Sequence, residues 1–224
     1  MKALLISDVE SPALWDYFRP ERLGDADLII SCGDLKREYL EFLVTMANRP
    51  VFYVPGNHDE AYVKTPPEGC ENLDDRVVTY RGVRFLGLGG CKRYNQETYQ
   101  YTEDEMARRV RRAGRQIRKA GGVDVVVTHA APTGCGDRPD PAHRGFDCFL
   151  SLMDRYEPPF LVHGHVHMNY DRDVPRRVTY GKTTVINAYE RYMLEIPERE
   201  ESRGQERPQS GLRNRWRKWT SRSR

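Results

Sequence analysis

The residues best suited to chemistry stand at the ends of apolar runs. "KALLISDVE" delivers Asp8 and Glu10, and "ADLIISCGD" delivers Asp34. "PVFYVPGNHD" delivers Asn57, His58 and Asp59, "VDVVVTH" delivers His129, and "PPFLVHGHVH" delivers His165 and His167. Carboxylates, an amide oxygen and imidazoles together form the donor set of hard or borderline divalent cations, and this many of them suggest a dinuclear centre. Gly33, Gly56 and Gly164 each directly precede a candidate ligand, where a chain leaving a strand must bend and let backbone come close to an ion.

The pattern between these residues specifies what must position them. Continuous β-rich runs of this kind read as strands buried on both faces. In open α/β sheets, ligands bind beyond the carboxyl ends of the strands, which would bring the donors to one rim. Ser11 followed by Pro12 resembles an N-cap with proline at the first helical position, leading into a helix over "ALWDYF". "KREYLEFLVTMA" is amphipathic, and "TEDEMARRVRRAGRQIRKA" opens on a Thr cap and acids and closes on bases, as the helix dipole prefers. The basic residues of that second helix read as a solvated face, with Met106, Val110, Ala113 and Ile117 as its buried stripe. Residues 132 to 158 form a Gly- and Pro-rich loop followed by a helix, while "RVVTYRGVRFLGLGG" and "RRVTYGKTTVINAY" each read as two strands around a glycine turn. The order βαβα, then hairpins and further αβ units, predicts an α/β fold of two mixed β-sheets flanked by helices.

The 224 residues suffice for one good core, so a single domain over residues 1–196 is expected, followed by a basic, linker-like tail over 197–224. The tail carries nine Lys or Arg against four Asp or Glu, so the overall charge of +3 conceals a body near −2. Five widely spaced cysteines without a C-x-x-C pair suggest neither a disulfide framework nor a cysteine zinc site. The apolar stretch from Ala3 to Ile6 is too short for a signal-peptide core, and no run approaches a membrane span. A cytoplasmic protein is the expectation. In "GLRNRWRKWTSRSR", residues 211–224, Leu212, Trp216 and Trp219 recur at i, i+4 and i+7 among six bases. That pattern fits either an anionic membrane surface or RNA, or else a tail that only aids solubility.

Taken together, the motifs resemble the calcineurin-like metallophosphoesterase superfamily, whose pattern runs D-x-H, G-D, G-N-H-D/E, H and G-H-x-H. The resemblance covers about residues 2 to 196 and implies a four-layer αββα sandwich with two divalent metals, commonly manganese, iron or zinc. It implies Asp34 as the carboxylate bridging both metals, and Asp8 and His167 as ligands of the first. Asn57, His129 and His165 would be ligands of the second, and His58 the histidine facing the scissile phosphate. His143, in an H-x-G like that of several branches of the superfamily, is implied near the substrate with its neighbour Arg144; Arg93 is a weaker candidate for the pocket wall.

This chain departs from the pattern at Glu10, which stands where the family has the histidine of D-x-H. Alternation along an extended strand end would put positions 8 and 10 on one side and make Glu10 a ligand of the first metal. As a harder donor it would favour manganese, iron or magnesium over zinc there. The other reading of Glu10 is a carboxylate turned to solvent or a helix-start residue, leaving that position weak or empty.

The chemistry so implied is hydrolysis of a phosphomonoester or phosphodiester of a small substrate. A hydroxide bridging two metals about 3.5 to 4 Å apart would attack in line. His58 would protonate the leaving oxygen or stabilise the equatorial charge, and Asp59 would orient it or a ligand histidine. Two rivals remain: a nuclease that uses the basic tail to hold nucleic acid, and a scaffold that keeps the fold without turnover.

Overall fold

In the computed structural model, residues 1–169 and 175–197 are described. The basic tail expected over 197–224, Pro197 excepted, therefore lies outside the described residues. The chain forms β1 (Lys2–Ser7), β2 (Leu28–Ser31), α1 (Arg37–Ala47), β3 (Val51–Tyr53), β4 (Glu71–Asn72), β5 (Val77–Tyr80), β6 (Val83–Leu88), β7 (Cys91–Lys92) and β8 (Gln100–Tyr101). It continues with α2 (Glu103–Lys119), β9 (Val125–Thr128), α3 (Asp147–Tyr156), β10 (Phe160–His163), β11 (Arg177–Tyr180), β12 (Thr183–Asn187) and β13 (Glu190–Glu195). One sheet has the order β13-β1-β2-β3-β4 and the other β11-β12-β10-β9-β6-β5; β7 and β8 pair separately. β1, β2 and β3 run parallel, as do β6, β9, β10 and β12, whereas the edge strands β13, β11 and β5 are antiparallel to their neighbours.

Alternation assigns the layers. Ala3 and Leu5 of β1 join Leu28, Ile30 and Phe52 of the first sheet and Phe85, Val125, Val127 and Val162 of the second in one core, so the sheets pack face to face. Their intervening neighbours face outwards. Leu4, Ile6 and Ile29 meet Tyr39, Leu40 and Leu43 of α1, while Val126 and Leu161 meet Met106 and Ile117 of α2 and Phe149 and Leu152 of α3. These are the two helix-flanked sheets that the pattern predicts, in the αββα order that the resemblance implies. Helix α2 carries the expected capping box: Thr102 accepts from the Glu105 N–H, and the Glu105 side chain accepts from the Thr102 N–H.

Two expectations fail here. No helix forms over "ALWDYF"; residues 12–17 are turns, and a single 3-10 turn follows over Pro20–Leu23. Pro20 leaves a helix starting at Pro12 with fewer than eight residues, too few to offset nucleation, and Ser11 Oγ donates to Glu190 Oε1 at 3.1 Å instead of capping. Trp15 packs instead on the Tyr39 and Phe42 rings of α1 at 5.0 and 5.5 Å. Second, the basic face of α2 is not wholly solvated. Arg109 is buried and donates to Gly89 O and Asp75 Oδ1 at 2.8 and 2.9 Å and to Asp74 Oδ1, tying the loop after β6 to the helix.

Candidate metal centre

Because the central strands are parallel within each sheet, β1, β2, β3, β9 and β10 release their motifs on one rim. The chain turns sharply at three of these exits. Asp8, Asp34 and His165 have φ of 67°, 56° and 65°, a left-handed conformation that costs a non-glycine residue roughly 1–2 kcal/mol. Such local strain persists where surrounding structure enforces it, and here it sits at three candidate ligands. The preceding glycines leave no room for a side chain. A Cβ on Gly56 would overlap the Asp34 carboxylate, and one on Gly164 would stand 2.8 Å from Asp8 Oδ2.

Ligand atoms of Asp34, His129 and His165 lie within 4.8 Å of one another. Each is aimed by backbone. His129, fully buried, directs Nδ1 at the Cys32 carbonyl at 2.7 Å, an acceptor only, and so presents Nε2 to Asn57 Oδ1 at 3.0 Å and Asp34 Oδ2 at 3.3 Å. Asn57 in turn donates its amide to the Tyr94 hydroxyl at 3.2 Å, which fixes the oxygen towards the cluster. His165 Nε2 donates to Ala142 O at 2.7 Å and leaves Nδ1 for the cluster. Burial, with the neighbouring His129 charge, lowers the His165 pKa to about 3 and keeps it neutral.

His129 behaves oppositely. Burial disfavours its charge, but the Asp34 and Asp8 carboxylates outweigh burial and raise its pKa to about 9. Asp34, which burial alone would push up, is held well below the usual carboxylate range by His129 and by the His58 N–H, which donates to its Oδ1 at 2.8 Å. A proton on His129 thus supplies positive charge where a cation fits. The donor set of Asp34, Asn57, His129 and His165 suits a borderline divalent ion.

The other half of the rim is looser. Asp8 accepts the His165 N–H with both oxygens, at 2.9 and 3.1 Å, and burial raises its pKa. His167 Nε2 is 3.9 Å from Asp8 Oδ1, and its ring lies tilted against Tyr189 with centroids 5.1 Å apart. Glu10 does not continue an extended strand. The Asp8 turn and a 2.7 Å bond from Val9 N to Ser7 O end the alternation, and Glu10 Oε1 instead accepts the Lys36 N–H at 3.1 Å, ahead of α1. Glu10, Asp34, Lys36, Arg37, His58 and Tyr62 are among the residues lining a cavity of about 500 Å³ beside the cluster.

Of the remaining sequence candidates, Asp59 is buried and its Oδ2 takes the N–H groups of Gly56 and Asp34 at 2.7 and 2.8 Å. Burial, and then the Asp34 charge, raise its pKa to about 6. Its direct hold is on the two ligand-bearing turns, not on a histidine ring. His143 reaches the margin, its ring 5.1 Å from that of His165 and its Nδ1 2.9 Å from Asp140 Oδ1. Arg144 donates to Pro139 O within its own loop, and Arg93 turns to Gln100 O and Glu105 at the start of α2. The carbonyls of Cys32 and Ala142 and the ring of Tyr189 carry no motif, so nothing in the sequence marks them as orienting groups.

The sequence model described as calcineurin-like phosphoesterase matches residues 1–169. The chain belongs to this family. Among curated relatives, a UPF0046 protein of Caenorhabditis elegans is 24% identical over 221 residues, 84% of this chain and 69% of that protein. An uncharacterized protein of Haemophilus influenzae is 26% identical over 206 residues, 77% of this chain and 88% of its own length. Among solved structures, TT1561 of Thermus thermophilus has a TM-score of 0.59 at 16% identity, covering 84% of this chain and 89% of that one, a likeness of fold. Membership in a phosphoesterase family points to a hydrolase of phosphoester bonds that binds metal. Among the described residues, no helix is long and apolar enough to cross a membrane.

Proposed function

We propose that this chain is a dinuclear-metal phosphoesterase that hydrolyses a monoester or diester of a small phosphorylated substrate in the cytoplasm. The observation that carries the reading is the convergence of Asp34, His129 and His165, with Asp34 and His58 also lining a cavity of a size that fits a leaving group. When bound, two divalent cations supply charge neutralisation for the phosphoryl group and acidify the attacking water. Manganese or iron suits the carboxylate-rich donor set, with zinc or magnesium as the other candidates.

The chain's own groups do the rest. Asp34 stays ionised, and its backbone is fixed by Asp59. His129 gives up its proton as the cation arrives, whereas neutral His165 has none to lose. His58 is exposed and lines the cavity with Asp34, where it protonates the oxygen that leaves.

The test is hydrolysis of p-nitrophenyl phosphate and bis-p-nitrophenyl phosphate by metal-stripped protein given manganese, iron, zinc or magnesium. Asp34→Ala should abolish both metal retention and turnover. His58→Ala should lower kcat by about 10²- to 10⁴-fold with metal content unchanged. Turnover that survives Asp34→Ala, or silence with every metal, rejects the reading.

A further inference from the structure

Glu10 has two uses that compete. Lys36, the residue before α1, is extended at φ −61° and ψ 139° and offers the helix no side-chain cap of its own. Its N–H is taken by Glu10 Oε1, from a segment 26 residues earlier. Glu10 also lines the cavity together with Asp34, two residues after Asp8, which stands 3.9 Å from His167. Among the described residues, Glu10 is the sequence candidate left to stand as a fourth ligand beside Asp8, Asp34 and His167.

Resting on the phosphoesterase reading, we propose that Glu10 is a shared ligand. It caps the start of α1 while the first metal position is empty and turns to the metal when that position fills. Two consequences follow from the chemistry. The first position binds more weakly than the one made by Asp34, Asn57, His129 and His165, by about tenfold, because forming it forfeits a hydrogen bond of capping strength. Filling it also frees the Lys36 amide, so that occupancy is reported to the first turn of α1 and to the cavity wall formed by Lys36 and Arg37.

The experiment is a manganese titration of the metal-stripped full chain by calorimetry, with amide hydrogen exchange of Lys36 followed by NMR along the same titration. Two classes of site are expected, the second about tenfold weaker, with Lys36 exchange speeding up only as the second fills. Glu10→Gln keeps an oxygen for the Lys36 N–H but is a poor metal ligand. It should leave the tight class unchanged, weaken the second at least a further tenfold and make Lys36 protection indifferent to metal. Glu10→His should strengthen the second class and expose Lys36 throughout. Lys36 protection that never changes in the parent chain overturns the proposal, as does a second-class affinity unaltered in Glu10→Gln. These readouts are binding and exchange, so they stand apart from the turnover measurement that tests the phosphoesterase reading.

Discussion

The two halves of the rim hold similar donors in different ways. At Asp34, Asn57, His129 and His165, nearly every donor is oriented by a second group: a carbonyl behind each imidazole, a phenol behind the amide, and an N–H on the carboxylate. At Asp8, Glu10 and His167, the Asp8 carboxylate is held by the His165 N–H, but Glu10 is engaged by a helix start and His167 stands 3.9 Å from Asp8 with its ring against Tyr189. Donor identity alone therefore does not rank the two sets of donors as metal sites. Affinity depends as much on whether the groups behind the donors have already fixed their direction, since outer partners of this kind are typically worth about 10- to 100-fold in metal binding.

The largest test of the contrast uses protons. His129 carries one up to about pH 9 in the metal-free chain, and a cation must displace it. Affinity at the tight position should therefore fall about tenfold for each pH unit below 9, or about 100-fold between pH 8 and pH 6. Calorimetry in buffers of different ionisation heat should count about one proton released per tight metal near neutral pH. The metal-free fold should respond with the opposite sign. A histidine whose pKa is raised on folding contributes stability in full below about 6.5, and this contribution is lost as pH rises through 9. A pH-independent affinity would mean that His129 is not in the tight position.

A smaller effect is expected from Tyr94→Phe. The ring remains, but Asn57 loses the acceptor that keeps its amide nitrogen turned away from the cluster. Tight-site affinity should drop by about tenfold, at the low end of the range for outer partners, with the weaker class unmoved. A loss shared equally by both classes would erase the distinction between the halves.

How much of this was legible in the sequence follows the same division. The layered fold and the strand-end donors were readable because both derive from local pattern: continuous apolar runs make buried strands, and parallel strands release their motifs on one rim. The path at Glu10 was not. Extended geometry was a fair default for "DVE", but the Asp8 turn is imposed by Gly164 packing against it and by the His165 N–H held in its carboxylate, 157 residues away. Arg109 was misread for a related reason. An arginine in a basic helix looks solvated until Asp74, Asp75 and Gly89, from a different part of the chain, surround it. Arg144, implied beside His143, and Arg93, a candidate for the pocket wall, hydrogen-bond to Pro139 O and to Gln100 O and Glu105, partners that no local pattern announces.

The finest test asks how much the Tyr189 ring adds to the orientation of His167. Tyr189 meets His167 at 5.1 Å with planes 38° apart, a contact that restrains the ring's tilt. Aromatic pairs of this kind contribute about 0.5–1.5 kcal/mol, equivalent to a factor between about two and ten. Tyr189→Leu, which keeps apolar bulk but removes the ring face, should therefore weaken the second class of metal site by about threefold and leave the tight class alone. A loss as large as that of Tyr94→Phe would mean that Tyr189 fixes His167 as firmly as Tyr94 fixes Asn57.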